Sequence, residues 1–376
     1  MPRRIYLDNA ATTALEPEVL EAMMPFLTER FGNPSSIYSY GRENRLAVEN
    51  ARKSVASILK ARPAAIFFTS GGTESSNTAI FSSVRDLGCT HVITSPIEHH
   101  ATLHTVQQLQ ARGEARLSLV RIRPDGHVDM EDLARLLRES EGKTLVTLMH
   151  ANNEIGNLLD IHAVGALCRT HGALFHCDTV QTVGHYPFDL QGTHVHFITG
   201  AGHKFHGPKG VGILYVDPSV SIHPLIHGGG QERNMRAGTE NIYGIIGFAR
   251  ALELATERYE ADSAYILGLK HRLMRSLQRA VPDACFNGDP EGASLYTVLN
   301  CGFRRTERSE MILFNLDMNG ICVSGGSACS SGASQGSHVI RALGGDPDRV
   351  AVRFSFCRHN TEEEVDAVVE KLGELL

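Results

Sequence analysis

Two residues in this chain are poorly explained by ordinary surface or core roles. Lys204 lies in Gly200-Ala201-Gly202-His203-Lys204-Phe205-His206-Gly207-Pro208-Lys209-Gly210, directly after an apolar run. An amine crowded by glycines and histidines suits Schiff-base chemistry, because burial and nearby cations lower its pKa and free the nitrogen lone pair. Lys209 is the rival lysine, and a surface turn carrying both is the plainer alternative. Cys329 lies in Ser324-Gly325-Gly326-Ser327-Ala328-Cys329-Ser330-Ser331-Gly332-Ala333-Ser334, whose small polar residues offer a thiol little to pack against. Such a setting suits a nucleophile that meets a substrate and then a partner. A free thiol has a pKa of about 8.5, so a neighbouring group must help to form the thiolate. A spacer loop with an incidental cysteine is the alternative.

Three further stretches carry chemistry. Thr69-Ser70-Gly71-Gly72-Thr73-Glu74 falls between a strand and a helix pattern. Glycines there let backbone approach an anion, and a helix start offers unpaired N–H groups, with the Thr73 hydroxyl beside them. The spacing matches neither a dinucleotide fingerprint nor a P-loop, and a glycine turn capped by Thr73 is the simpler account. Phe175-His176-Cys177-Asp178-Thr179-Val180-Gln181 ends an apolar strand in a carboxylate, at the edge where α/β sheets bind ligands. A carboxylate set against a pyridine nitrogen would keep it protonated, which makes the ring an electron sink; a helix cap explains the same residue more cheaply. Val352-Arg353-Phe354-Ser355 buries a cation in an apolar run, where a planar guanidinium needs a carboxylate from the protein or a substrate. His194, His196, His203 and His206 lack a recognised ligand spacing, and no metal is expected.

The elements that must position these residues alternate. Ile66–Thr69, His91–Thr94, Leu145–Met149, Ala173–Cys177, Val195–Thr199 and Val211–Val216 read as strands, with helices at Asp129–Glu139 and Ile161–Thr170 among the connections. That alternation predicts a mostly parallel, three-layer α/β sheet. Thr239–Ala280 reads as one long connecting helix. Beyond it, Leu295–Asn300 and Ile321–Val323 read as strands, and Glu307–Asp317, Ser334–Leu343 and Glu362–Leu375 as helices. A large domain over 15–255 and a smaller α+β domain made of 1–14 and 256–376 are expected, with the N-terminal dozen residues able to pack on either.

Composition sets outer bounds. With 376 residues, a net charge of −6 and no basic block, the chain does not read as a nucleic-acid binder. It shows no signal-peptide pattern and no run of about 18 apolar residues, so a cytoplasmic protein without membrane spans is expected. Eight scattered cysteines with no C-x-x-C pair suggest buried thiols rather than a disulfide framework.

The order of motifs resembles one family. The chain contains Tyr6-Leu7-Asp8-Asn9-Ala10-Ala11-Thr12-Thr13, Phe31-Gly32-Asn33-Pro34-Ser35-Ser36, Ile97-Glu98-His99-His100, Asn152-Asn153-Glu154-Ile155-Gly156, His227-Gly228-Gly229-Gly230-Gln231-Glu232-Arg233 and Arg236-Ala237-Gly238-Thr239. Together with the stretches around Thr73, Asp178, Lys204, Cys329 and Arg353, this series closely resembles the cysteine desulfurases, of the class V aminotransferase group of fold-type I pyridoxal-phosphate enzymes. The likeness covers nearly the whole chain and implies a seven-stranded sheet sandwiched by helices. It implies that Lys204 tethers pyridoxal 5'-phosphate and then moves protons, that Asp178 pairs with the pyridine nitrogen, and that Gln181 meets the ring hydroxyl. His99 would stack on the ring and act as acid or base. Gly72, Thr73 and His203 would hold the phosphate, with Thr239 supplied by the other subunit of a homodimer. Asn33, Asn153 and Arg353 would bind the substrate carboxylate, and Asn153 would also touch the cofactor.

Cys329 would then take sulfur from L-cysteine as a persulfide, release alanine, and pass the sulfur to an acceptor protein such as an iron–sulfur scaffold or a thiolation carrier. The long stretch after Cys329 resembles the extended-loop group, and Gly202-His203-Lys204-Phe205-His206 with Arg236–Asn241 resembles its nitrogen-fixation branch. Ala201 departs from the family, which often has a phosphate-binding serine there; one lost hydrogen bond is worth about 0.5–1.5 kcal/mol. Thr179-Val180 and His185 are smaller departures. The rivals are a selenocysteine lyase, separable by substrate preference, another class V aminotransferase, separable by its keto-acid requirement, and a silent scaffold, separable by the absence of bound cofactor.

Overall fold

The structure, a computed structural model, describes residues 4–326 and 336–376. It opens with strand β1 (Ile5–Tyr6) and helices α1 (Pro17–Thr28) and α2 (Ser39–Ile58). Seven strands then build the main sheet: β2 (Ile66–Thr69), β3 (His91–Thr94), β4 (Arg116–Leu119), β5 (Thr144–Met149), β6 (Leu174–Asp178), β7 (Phe197–Ala201) and β8 (Gly212–Val216). Their order is β2-β8-β7-β6-β5-β3-β4, parallel except for β8, which runs against both neighbours. Helices α3 (Gly72–Arg85), α4 (His100–Ala111), α5 (Met130–Arg138) and α6 (Ile161–Thr170) make crossovers. All of these strands except β4 are buried along their whole length, as continuous apolar runs covered on both faces should be. Asp129 and Asp160 start α5 and α6 by accepting hydrogen bonds from the first-turn N–H groups.

Helix α7 (Ile242–Ala280) joins this layer to the rest. Its first half packs into the main core through Ile245, Phe248 and Leu252. Its second half packs through Ile266, Leu269, Leu273 and Leu277 into a separate core with Leu299, Phe303, Val352, Phe354 and Val368. That second core surrounds an antiparallel sheet of β9 (Cys285–Phe286), β10 (Val298–Arg304) and β12 (Arg349–Ser355), with α8 (Glu307–Glu310), α9 (Ile312–Met318), strand β11 (Ile321–Cys322), α10 (His338–Ala342) and α11 (Glu362–Leu375) around it.

The N-terminal residues choose both sides. Strand β1 pairs parallel with β11, and Asp8 bridges Ser355 of the second unit. A few residues later, the Thr13 and Glu16 N–H groups donate to His203 O and His206 O of the main sheet's loop. Glu16, almost fully buried, then gathers cations from both parts of the fold. Arg358 Nε and Nη2 donate to it at 3.2 and 2.5 Å, and His359 Nε2 lies 2.7 Å away. Arg258 of α7 approaches to 3.9 Å. Burial alone would raise this carboxyl, but the hydrogen bonds from Arg358 and His359 outweigh it and bring the pKa down to about 2.

Candidate active site

A cavity of about 240 Å³ opens at the C-terminal ends of the parallel strands. Its walls include Gly72, Thr73, His99, Asn153, Asp178, Gln181, His203, Lys204 and Arg353, residues drawn from positions 72 to 353 of the chain. The site therefore sits where open α/β sheets place their ligands, outside the carboxyl ends of the strands.

The floor is built by three strand ends. Asp178 closes β6, and its Oδ1 accepts hydrogen bonds from Val180 N (3.0 Å) and Thr199 Oγ1 (3.4 Å). Its Oδ2 makes no hydrogen bond among the described residues and is left for whatever fills the cavity. Ala201 closes β7, and the tight turn Gly202–Lys204 follows directly. That turn aims Lys204 into the cavity, where Nζ donates to Ala10 O (2.6 Å) and Ala11 O (2.8 Å). Lys209 is exposed and lines none of the cavity, which separates the two lysines of the motif. Gln181 Nε2 also donates to Ala10 O (3.0 Å), fixing the side-chain amide.

At one end the start of α3 faces the cavity. Gly71 has φ +152° with ψ −178°, a region open essentially to glycine alone. A Cβ at Gly72 would lie 2.5 Å from Val180 Cγ2, so glycine is required for the helix start to come this close to the strand end. First-turn N–H groups have no acceptor within the helix, and here they stand beside Thr73 and His203. His203 Nδ1 meets Thr12 Oγ1 at 3.2 Å, and burial pushes its pKa down to about 4, so the ring is neutral at physiological pH. The set fits a phosphate: a helix start and a threonine hydroxyl, with no carboxylate lining that end. Ala201 supplies only a methyl group here, in keeping with its departure from the family pattern.

His99 caps α4, its Nδ1 accepting from Ala101 N at 3.1 Å. An accepting Nδ1 puts the proton of the neutral ring on Nε2. Burial lowers the His99 pKa against the opposing pull of Asp178, so the neutral form is the one present. At the other end stands Arg353, 1% exposed. Nη2 donates to Asp8 Oδ1 (2.5 Å) and Nη1 to Asn153 O (2.9 Å), while Nε is buried without a partner among the described residues. Both partners considered from the sequence are thus in play: an internal carboxylate holds one side of the fork, and the residue still lines the cavity.

Two predicted residues stand elsewhere. Asn33 is exposed, its Oδ1 accepting from Ser35 N. Thr239 is also exposed, beside Ser70 and Arg236 in a separate cleft. Cys329 lies outside the described residues. The chain on either side of its segment is anchored beside the cavity: Ser324 pairs with the backbone of Arg353, and Ser337 Oγ donates to Glu154 Oε2 at 2.5 Å. The sequence reading assigned no role to Asp8, to the Ala10 and Ala11 carbonyls, or to the buried Glu98 and Glu154, although each falls within a stretch singled out for its motif.

The profile of the family described as Aminotransferase class-V matches residues 5–368. A protein named cysteine desulfurase IscS from Dictyoglomus turgidum is 42% identical over 100% of this chain and 95% of its own length. Among solved structures, one titled NIFS-like protein superposes with a TM-score of 0.91 at 38% identity, covering 99% of both chains. Another, titled SspA in complex with cysteine, gives a TM-score of 0.79 at 29% identity over 95% of this chain and 100% of its own.

Proposed function

The chain belongs to the class V aminotransferase family and, within it, to the pyridoxal-phosphate-dependent cysteine desulfurases, and from that premise we propose how its residues convert L-cysteine to L-alanine. The observation that carries the reading is that Lys204, Asp178, His99 and Arg353, far apart in sequence, line one cavity. Bound there, pyridoxal phosphate supplies an electron-withdrawing ring whose pull depends on a protonated pyridine nitrogen.

The protein's residues do the rest. Thr73, His203 and the first-turn N–H groups of α3 hold the phosphate. Asp178 Oδ2 keeps a proton on the pyridine nitrogen, and Gln181 orients the ring through its hydroxyl. His99 would stand against the ring and could offer a proton from Nε2. Arg353, with Asn153, draws in the substrate carboxylate, and Asp8 keeps the guanidinium in place. Lys204 Nζ, held by the Ala10 and Ala11 carbonyls, would tether the cofactor and would be the group placed to move protons at the substrate's α-carbon.

The thiolate of Cys329 attacks the substrate sulfur. A sulfur–sulfur bond forms and the carbon–sulfur bond breaks with its electron pair left on carbon, which takes up a proton and leaves as alanine. The balance is cysteine plus one protein thiol giving alanine plus one protein persulfide. That sulfur passes to an acceptor protein serving iron–sulfur or thio-cofactor assembly. Cys329→Ser is expected to bind the cofactor and retain its colour, yet yield no persulfide and no sulfide from L-cysteine. Parental rates of alanine and sulfide formation in that variant would overturn the assignment.

The two hydrophobic cores support two domains, 15–255 and 1–14 with 256–376, meeting along α7. A homodimer is part of the same proposal. Phe31, Ile37, Tyr38, Tyr40 and Leu46 expose large apolar surfaces in one stretch of chain, a cost that a second copy would remove. Thr239 and Asn33, exposed in one copy, would then complete the neighbouring copy's site. No helix among the described residues is long and apolar enough to cross a membrane, and a cytoplasmic setting remains the proposal.

A further inference from the structure

The turn that aims Lys204 is braced by a side chain to which the mechanism gives no role. His185 stands a few residues beyond Asp178 and Gln181, in the loop after β6. Its Nε2 lies 3.0 Å from Lys204 O, and its Nδ1 lies 3.0 Å from the Tyr296 hydroxyl. A carbonyl can only accept, so Nε2 carries the proton and donates it to Lys204 O. Nδ1 then holds the lone pair and accepts from the Tyr296 O–H. Burial pushes the His185 pKa down to about 4 and raises that of Tyr296, so at neutral pH the ring is neutral and the phenol keeps its proton. A single tautomer satisfies both contacts.

The backbone is shaped to bring this ring to the lysine. Gly184 has φ +80°, and a Cβ on it would lie 2.4 Å from Cγ of Phe205, the residue after Lys204. Glycine therefore lets the loop after β6 pack directly on the turn after β7. Tyr296 is 7% exposed and belongs to the second core, its ring edge-on to that of His185. His185, Tyr296 and Lys204 line a small cavity of about 50 Å³, and Ala10, Gln181 and Lys204 line both this space and the cofactor cavity. Lys204 thus stands in a wall with room on either side, where its peptide needs a fixed point.

We propose that His185 is a positioning residue for the desulfurase reaction, acting through the Lys204 peptide. Backed by Tyr296, the ring holds the Lys204 carbonyl in register with Asp178 and Gln181 of its own loop. Nζ then reaches the cofactor and the substrate's α-carbon from a constant base. The inference rests on the reading of Lys204 as the cofactor's lysine. A misplacement of about 1 Å at such a group can cost on the order of 10²-fold in rate. Arg353 and Asn153 make no hydrogen bond to His185 or Tyr296 among the described residues, so the hold on the substrate carboxylate should not change.

Three variants separate the hydrogen bonds from packing. Glutamine can place an N–H where Nε2 stands, asparagine reaches only the position of Nδ1, and Tyr296→Phe removes the hydroxyl that fixes the tautomer. Each is compared with the parent for kcat and KM with L-cysteine, and for the rate at which cofactor-free protein takes up pyridoxal phosphate, followed by absorbance. His185→Asn should lower kcat and uptake by about ten- to a hundredfold, with KM within about twofold of the parent. His185→Gln should bring both rates back to within about threefold of the parent, and Tyr296→Phe should show a smaller fall in kcat than His185→Asn. In nitrogen NMR spectra of histidine-labelled parent, the ring signals missing from His185→Gln should report a neutral imidazole protonated on Nε2. Parental kcat or uptake in His185→Asn, glutamine as damaging as asparagine, or a parent ring protonated on Nδ1 would each reject the positioning role. If instead Lys204→Ala took up the cofactor and turned over cysteine like the parent, the reading of Lys204 itself would fall.

Discussion

His99 joins catalysis and fold in one side chain, and the two roles can be pulled apart. Its Nδ1 caps α4, while its Nε2 is free for the cavity. Asparagine is among the best N-caps, whereas alanine costs about 1 kcal/mol there. His99→Asn should therefore melt within a few degrees of the parent yet lose on the order of 10²–10⁴ in turnover, the usual worth of a positioned acid–base group. His99→Ala should lose both. An active His99→Asn protein would remove the ring from the mechanism. At this scale the sequence was readable where chemistry requires a residue type: Lys204, Asp178, Gln181, His99, Thr73 and Arg353 all line the cavity. Asp8 was not readable as the partner of Arg353, because 345 positions separate them and only tertiary folding pairs β12 with the N-terminal strand's extension.

Among the elements, the main-sheet strands announced by apolar runs fall within about two residues of their expected positions, the strand expected over Leu295–Asn300 lies three to four residues further on as β10, and α6 spans the expected Ile161–Thr170. Strand β4 did not announce itself. It is an edge strand, Arg-Leu-Ser-Leu, half exposed, with too little apolar character to stand out from a loop. The helix expected over Glu307–Asp317 is broken at Met311 into α8 and α9. The start of the helix expected from Ser334 lies outside the described residues, and α10 begins at His338, capped by Ser337. Glu16 is the principal knot between elements, tying the entry to α1 to α7 and to the turn after β12. Its pKa is about 2 in the folded chain against an ordinary 4.5. A depressed carboxyl stabilises the fold fully above its unfolded value, and that contribution fades as pH falls from about 4.5 towards 2. Glu16→Gln should thus cost about 3 kcal/mol at pH 7, with the gap to the parent narrowing below pH 4.5 in denaturant unfolding. A gap that stays constant down to pH 3 would refute the charged assignment.

At the scale of the whole molecule, the stretch from Phe31 to Leu46 exposes Phe31, Ile37, Tyr38, Tyr40 and Leu46 together, with Ile37 87% exposed. Replacing Ile37 and Tyr38 together by aspartate should shift the protein from dimer to monomer in sedimentation analysis. It should also weaken cofactor retention, because Thr239 would no longer reach a neighbour's phosphate. A parent that sediments as a monomer with full activity would dismiss the dimer. Fold class and layer order were legible because they follow from alternating strands and helices, and the two cores follow from the long helix pattern after Thr239. Asn33 read as a substrate ligand from its motif, yet it stands outside this cavity, because no periodicity along one chain fixes where an exposed loop residue points; Thr239, which the resemblance assigned to a neighbouring subunit's site, stands outside it too. The 39 residues of α7 form a rod about 58 Å long, driven through both cores. Neither core can melt without stripping the rod of half its packing, so heat should undo the chain in one event, and a lesion in either buried half of that helix will be felt at the far end as well.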